Sequence, residues 1–184
     1  AEVENDAEFS RQLSRHGNIF INDAFGTAHR SHSSNIGVVP FFKHSGIGLL
    51  MDKEINFLQK LMENPPRPLT LLVGGAKINS KIKLIENFLN KANNIIIGGG
   101  MAFTFMRAMG KKTGGSILQD SMVPTALNLI NKARIKGVNL LLPVDFVCSK
   151  SISDSSKVQT FFGDDMPREY MGLDIGSKTI FDFG

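Results

Sequence analysis

The chain is predicted to be an α/β protein with a parallel sheet flanked by helices. Three observations predict this. From residue 68 onward, short continuous apolar runs alternate with stretches of helical periodicity, the pattern of strands joined by crossover helices. The first two apolar runs, LTLLVGG (69–75) and NNIIIGGG (93–100), both end in glycine, as strands that turn sharply into a following helix do. The third observation is composition: 184 residues, 42% hydrophobic and 21% charged, can bury a real core and are too apolar for a disordered chain.

Before residue 68 the pattern is mixed. NDAEFSRQLSRHG (5–17) spaces Ala7, Phe9 and Leu13 as a helix would and ends at Gly17, a plausible C′ residue. NIFINDAFG (18–26) is a short β-type run closing on Asn22, Asp23 and Gly26. GTAHRSHSSN (26–35) is small, polar and basic, the chemistry of a loop and not of a core. GIGLLMDKEINFLQKLMENPPRP (46–68) reads as a helix with Leu49, Leu50, Ile55, Leu58, Leu61 and Met62 near i, i+3, i+4 spacing. Pro65, Pro66 and Pro68 end it, which makes it a candidate connector between two lobes.

In the second part, LTLLVGG reads as a strand buried on both faces. NSKIKLIENFLNKA (79–92) is an amphipathic helix with Asn79 or Ser80 as candidate cap, and NNIIIGGG is the second strand. MAFTFMRAMG (101–110) is apolar nearly all round, a buried helix in which Phe103 and Phe105 are read as core residues and not as base-stacking groups. PTALNLINKARIKG (124–137) is amphipathic with cations toward its end, where they suit the helix dipole. VNLLLPVDFVC (138–148) reads as a third strand whose pairing stops near Pro143. FFGDDMPREYMGLDIGSKTI (161–180) reads as irregular loop, a short strand and the start of a helix.

Several function classes recede on this evidence. The net charge is only +4 and Lys and Arg are scattered, so no nucleic-acid partner is expected. No apolar run reaches 18 residues, so no membrane span is expected, and the polar, acidic start lacks a signal-peptide core. Cys148 is the lone cysteine; flanked by apolar residues, it is expected to be an inert buried thiol.

The glycine turns are the candidate site. In parallel α/β sheets ligands bind beyond the carboxyl ends of strands, where Gly74–Gly75 and Gly98–Gly99–Gly100 fall. Lys77 and Lys81 lie four apart, on one face if the helix begins early, and two such ammonium groups can neutralise phosphates. The motif does not match G-x-x-x-x-G-K-[ST] or G-x-G-x-x-G. Nor does the second strand end in the acid that would hold a ribose in a dinucleotide site, which counts against a nicotinamide enzyme. On spacing alone, a mononucleotide site and a purely structural pair of turns both remain open.

Three blocks carry a resemblance. FINDAFGTAHRSHSSNIGV (20–38) resembles the signature segment of the phosphoglycerate kinases, and LLVGGAKINSKIKLIENFLNKANNIIIGGGMAFTF (71–105) resembles that family's nucleotide-binding segment. LLPVDFV and MGLDIGSKTI resemble two later landmarks in the same order. The resemblance implies a reversible glycolytic kinase, a phosphotransferase that moves a phosphoryl group between 1,3-bisphosphoglycerate and ADP to give 3-phosphoglycerate and ATP. Mg2+ would be bound with the nucleotide, and no metal ligand is assigned to this chain. It implies a Rossmann-like nucleotide lobe, incomplete here: residues 1–45 the tail of the glycerate-binding lobe, 46–64 the inter-lobe helix, 65–184 the nucleotide lobe.

By the same resemblance, Arg30 would grip the glycerate phosphate, with His29 in the same basic patch. Lys77 would face the transferring phosphoryl group and Lys81 the inner phosphates. Gly74, Gly75 and Ala76 would form the phosphate turn. Gly98, Gly99 and Gly100, with Leu118, Gly172 and Leu173, would line the adenine pocket. Asp23 reads better as a turn-fixing group than as a catalytic base, and His16 and His32 read as solvated. Members are typically monomeric and cytoplasmic, and some occupy glycolytic organelles.

The departures are also expectations. The first half-lobe is missing, as are the later NGP and GGGD[ST] segments with their metal-coordinating Asp, so the chain looks like the middle of the enzyme and is expected to be inactive alone. Ser80 stands where many members carry an acid, Tyr170 replaces a common Trp, and Ser177 a common Pro. The alternative is a noncatalytic adenine-nucleotide-binding module; a dehydrogenase is a distant third.

Overall fold

The structure, a computed structural model, describes residues 1–153 and 157–184. The chain divides into two compact units, Ala1–Pro65 and Pro66–Gly184.

In the first unit, α1 (Ala7–Ser14) begins at Asp6, whose carboxylate accepts the Phe9 N–H at 2.7 Å, an ordinary acidic N-cap. Strand β1 (Phe20–Asn22) pairs in parallel with β2 (Ser45–Ile47). Helix α2 (Leu49–Glu63) follows Gly48 and stops at Asn64, just before the prolines. β2 was not expected, because three residues around a glycine carry no strand pattern of their own; the pairing with β1 makes it. The apolar stripe of α2 is largely solvent-facing, with Leu49 at 89% exposure and Phe57 at 64%, while Met51 is buried.

In the second unit, β3 (Thr70–Val73), β4 (Asn94–Ile97) and β5 (Asn139–Leu141) form a parallel sheet in that order. Helices α3 (Ile82–Phe88), α4 (Met101–Ala108) and α5 (Val123–Ile135) cover one face. Ile85, Met101, Phe105 and Leu129 from these helices pack on Ile95 and Ile97 of β4 in the main core. The parallel sheet with flanking helices is therefore as expected. β3 is not buried on both faces, however. Leu71 and Val73 turn toward the helices while Leu72 is 71% exposed, because none of the described helices covers the other side of this strand.

Pro143 does more than stop pairing. It separates β5 from β6 (Asp145–Ser149), which belongs to a second sheet. That sheet is antiparallel, with β6 between β7 (Gln159–Phe162) and β8 (Met171–Ile175). Proline has no N–H to carry a ladder forward, so one apolar run becomes two strands. β7 was also not expected. Helix α6 (Ser177–Phe183) ends the chain. A second core of Phe103, Met106, Phe146, Cys148 and Met166 joins α4 to this sheet. Cys148 is fully buried and burial pushes its thiol up, in keeping with an inert role.

Candidate functional site

The two glycine turns meet. Gly99 has φ +64°, and a Cβ there would lie 2.8 Å from the Gly75 nitrogen, so only glycine fits this backbone crossing. The Gly98 N–H donates to Val73 O and the Met101 N–H to Gly75 O, both at 2.8 Å. These bonds clamp the end of β3 to the first turn of α4. Gly100 packs against Ala76 in the same crossing, at 3.4 Å from a built Cβ to the Ala76 Cα.

Beside the crossing lies an apolar slot. One hollow of about 60 Å³ is walled by Gly99, Gly100, Phe103, Gly172 and Leu173; a second, of about 210 Å³, shares most of these and adds Ala76 and Ile117. Gly172 abuts the edge of the Phe103 ring, whose Cζ would be 2.3 Å from any Cβ at this position. The Ser116 hydroxyl fixes Gly172 by accepting its N–H at 2.9 Å. The slot thus has a backbone wall on one side and an aromatic floor, which suits a flat, weakly polar ring.

The lysines stand on a separate feature. α3 starts only at Ile82 with Lys81 as its N-cap residue, so Lys77 and Lys81 do not share a helical face. Neither Asn79 nor Ser80 caps the helix; the Ser80 hydroxyl instead donates to Lys77 O at 3.1 Å and tightens the turn. Lys77 is exposed and Lys81 half-buried. The turn is held from behind: the Ile78 N–H donates to the side-chain oxygen of Gln119 at 2.7 Å, and the Gln119 N–H donates to the buried Thr104 hydroxyl at 3.1 Å. Lys77 is therefore flanked by Ala76, set against Gly100, and by fully buried Ile78.

The structure brings Ala76, Gly99, Gly100, Gly172 and Leu173 around one slot, with Gly75 in the crossing beside it. Gly74 and Gly98 have open space where a side chain would be and line neither hollow. Leu118 turns into the second core, and its neighbour Ile117 lines the slot in its place. Ser116, Ile117 and Gln119 were not singled out from the sequence. Gln119 meets a residue 41 positions away, and no local pattern announces that.

In the first unit, His29 and Arg30 are exposed on the polar loop. Asn35 organises that loop: its amide donates to Thr27 O at 2.9 Å and Arg30 O at 2.6 Å, and its carbonyl accepts from Asn22 at 2.5 Å. Asp23 accepts the Met51 N–H at 2.8 Å, a capping contact to the first turn of α2.

The architecture, with glycine turns crossing at the carboxyl ends of parallel strands, is that of the open α/β class, in which ligands enter at this edge. Comparison narrows the class. A family model described as phosphoglycerate kinase matches residues 1–184. The chain is 46% identical over 179 residues to the phosphoglycerate kinase of Finegoldia magna, covering 97% of this chain and 45% of that one. To that of Acidobacterium capsulatum it is 44% identical over 180 residues, with the same coverage. A solved phosphoglycerate kinase from Coxiella burnetii superposes with a TM-score of 0.84 at 35% identity, over 99% of this chain and 47% of that one. One from Pyrococcus horikoshii OT3 shares the fold, with a TM-score of 0.76 at 24% identity. The chain belongs to the phosphoglycerate kinase family, and it spans a little under half the length of the relatives it matches.

Proposed function

We propose that this chain supplies the nucleotide-binding part of a kinase that moves a phosphoryl group reversibly between 1,3-bisphosphoglycerate and ADP. Family membership supports the reaction class. The observation that carries the assignment to this region is the Gly75–Gly99 crossing, which joins the lysine turn to the Phe103–Gly172 slot. In this reading the adenine enters the slot between Gly99–Gly100 and Gly172–Leu173, and its phosphates run toward Lys77 and Lys81. Residues 1–45 would belong to the glycerate lobe, with Arg30 and His29 on its phosphate, and 46–64 would be the connecting helix. The glycolytic role would place the protein in the cytoplasm or a glycolytic organelle, as a monomer.

The chemistry asked of these residues is electrostatic. Phosphoryl transfer has a loose, highly charged transition state, so fixed positive charge and alignment do most of the work. Lys77 is assigned to the transferring group, and the backbone of its turn is braced by Gln119 and Ser80. Lys81 is assigned to the inner phosphates. Residues 74–85 contain no carboxylate, so this turn offers Mg2+ no anionic ligand, and the ion would arrive on the nucleotide.

The test is calorimetric titration of ADP into the chain, with a coupled assay of turnover alongside. Saturable binding, weakened about tenfold by Lys81→Gln through loss of one charge-assisted contact, is expected without turnover. Failure to bind ADP would overturn the assignment, and turnover matching a full-length relative would overturn the expected inactivity. The slot and the lysine turn both lie within Pro66–Gly184, which favours a second reading, a nucleotide-binding module without phosphoryl transfer. That reading gains if extending the chain to its relatives' length still gives binding alone.

A further inference from the structure

A second cationic cavity lies at the other end of α4. Its volume is about 360 Å³, and its charged lining is Arg107, Lys112 and Arg168, without a carboxylate. Gly100 begins α4 at the glycine crossing, while Arg107 sits in the last turn of the helix, about 10 Å along its axis at 1.5 Å per residue. The cavity therefore belongs to neither the slot nor the lysine turn.

The walls are built and pinned. Lys112 and Arg168 stand on two loops joined backbone to backbone, with the Gly115 N–H donating to Tyr170 O at 2.7 Å. Gly114 (φ +54°) is pressed so close that a Cβ would lie 2.4 Å from Tyr170 O and 2.6 Å from Pro167 O. Thr113 and Met166, both buried, form the floor, and the Ser116 hydroxyl contacts the Met166 sulfur at 3.4 Å. The acids nearby are otherwise placed: Asp164 pairs with Lys111 at 3.9 Å, and neither Asp165 nor Glu169 lines the cavity. Among the described residues, none of the three cations makes an ion pair.

Three like charges around one concavity repel each other, and an anion with two or more charges turns that repulsion into attraction. Two guanidinium forks and one ammonium are the donors that grip phosphate oxygens. We propose that this cavity binds a soluble phosphate-bearing metabolite, through the Arg107, Lys112 and Arg168 side chains, at a site separate from the glycine crossing.

Inorganic pyrophosphate is the probe, followed by backbone amide shifts in the isotope-labelled chain and by calorimetry. The expected result is saturable shifts at Lys112, Thr113, Gly114 and Gly115, retained in Lys77→Gln. Arg107→Gln and Arg168→Gln should each weaken binding about tenfold, the worth of one charge-assisted contact. These side chains are exposed and their removal should leave the fold intact, which circular dichroism checks; the shift map of the unmutated chain stands even if a variant misfolds. Shifts confined to residues 74–80, or equal affinity in the triple Gln variant, would overturn the proposal. Co-sedimentation with vesicles carrying phosphatidylinositol bisphosphate, without pyrophosphate shifts, would overturn it in favour of a lipid headgroup.

Discussion

The two units contain the same device in two settings. In the first, Asp23 follows β1, Gly48 is the N-cap residue of α2, the Gly48 N–H donates to Asn22 O at 2.9 Å, and the Asp23 carboxylate accepts the Met51 N–H. In the second, Asp145 opens β6, Gly176 is the N-cap residue of α6, the Gly176 N–H donates to Asp145 O at 2.9 Å, and the Asp145 carboxylate accepts the Lys178 and Thr179 N–H groups at 3.1 and 2.7 Å. The N-cap glycines even share a backbone geometry, φ −85° with ψ 174° and φ −83° with ψ 172°. A carboxylate at the end of a strand replaces the local cap that glycine cannot provide, and it meets the positive end of the helix dipole. The settings differ in burial: Asp23 is exposed, and Asp145 is 2% exposed. Asp145 also takes the Thr179 hydroxyl at 2.6 Å, while that oxygen accepts the Val144 and Asp145 N–H groups. One motif is thus a surface cap in one unit and a closed polar knot in the other.

The largest effect should come from the knot. Asn at position 145 can accept with one atom only, so one helix N–H is left facing an NH2 group inside the protein. Asp145→Asn is expected to destabilise the second unit by about 3 kcal/mol, read from urea unfolding. Acidity sharpens the comparison. Burial raises the Asp145 pKa, but the bonds from Thr179 and Lys178 outweigh it and hold the value below the ordinary 3.8. A lowered folded value means the contribution is complete above the unfolded value and is lost as pH falls through the folded one. The stabilities of the unmutated chain and Asp145→Asn should therefore converge on acidification below the ordinary value. A gap that stays constant into that range would show that the carboxylate charge is not what stabilises α6.

The glycines separate the two settings by geometry. A Cβ on Gly176 would meet the carboxylate itself, with Asp145 Oδ2 at 2.2 Å and Cγ at 2.3 Å. On Gly48 it would meet Asp23 Cγ at 2.3 Å and also Cβ at 2.6 Å. Truncating Asp145 to Ala removes the three atoms nearest a Cβ at residue 176, whereas truncating Asp23 leaves its Cβ, one of the three nearest at residue 48, in place. Gly176→Ala should cost about 2 kcal/mol alone and nearly nothing once Asp145→Ala is present, a strong coupling between neighbours. Gly48→Ala should remain costly in the Asp23→Ala background. Additive costs in the second unit would break the argument.

The sequence made the order of elements from residue 68 as far as α5 legible, because β4 and α4 are apolar enough to have one reading each. What it hid was set by distant partners. Ser45–Ile47 becomes a strand only against β1, and the run 138–148 divides because Pro143 lies where the chain passes from one sheet to another. Gly75, Gly99 and Gly100 could be picked out as strand-end glycines, although their spacing left a purely structural pair of turns equally open. Leu118 and Ile117 were not separable, because adjacent residues outside a helix face different ways and only packing decides which meets the slot. Gln119 and Ser116 hold the site by bonds to residues far along the chain, and such bonds leave no periodicity to read.

The smallest effect, at Asp23, decides between two roles. As a surface cap it makes one bond at the start of a helix whose Leu49 and Leu50 are already exposed, at 89% and 55%. Asp23→Ala should then cost about 1 kcal/mol, seen as faster amide exchange in the first turn of α2 and little elsewhere. Asp23→Asn keeps an oxygen that can accept the Met51 N–H, so exchange there should stay near that of the unmutated chain. In the chain extended to its relatives' length, a general base would respond in the opposite way, since Asn cannot take a proton and would abolish turnover even with the helix intact. If Asn behaves like Asp in both exchange and turnover while Ala loosens only the first turn, the carboxylate at 23 is a cap. The resemblance between the two units is then structural on both sides.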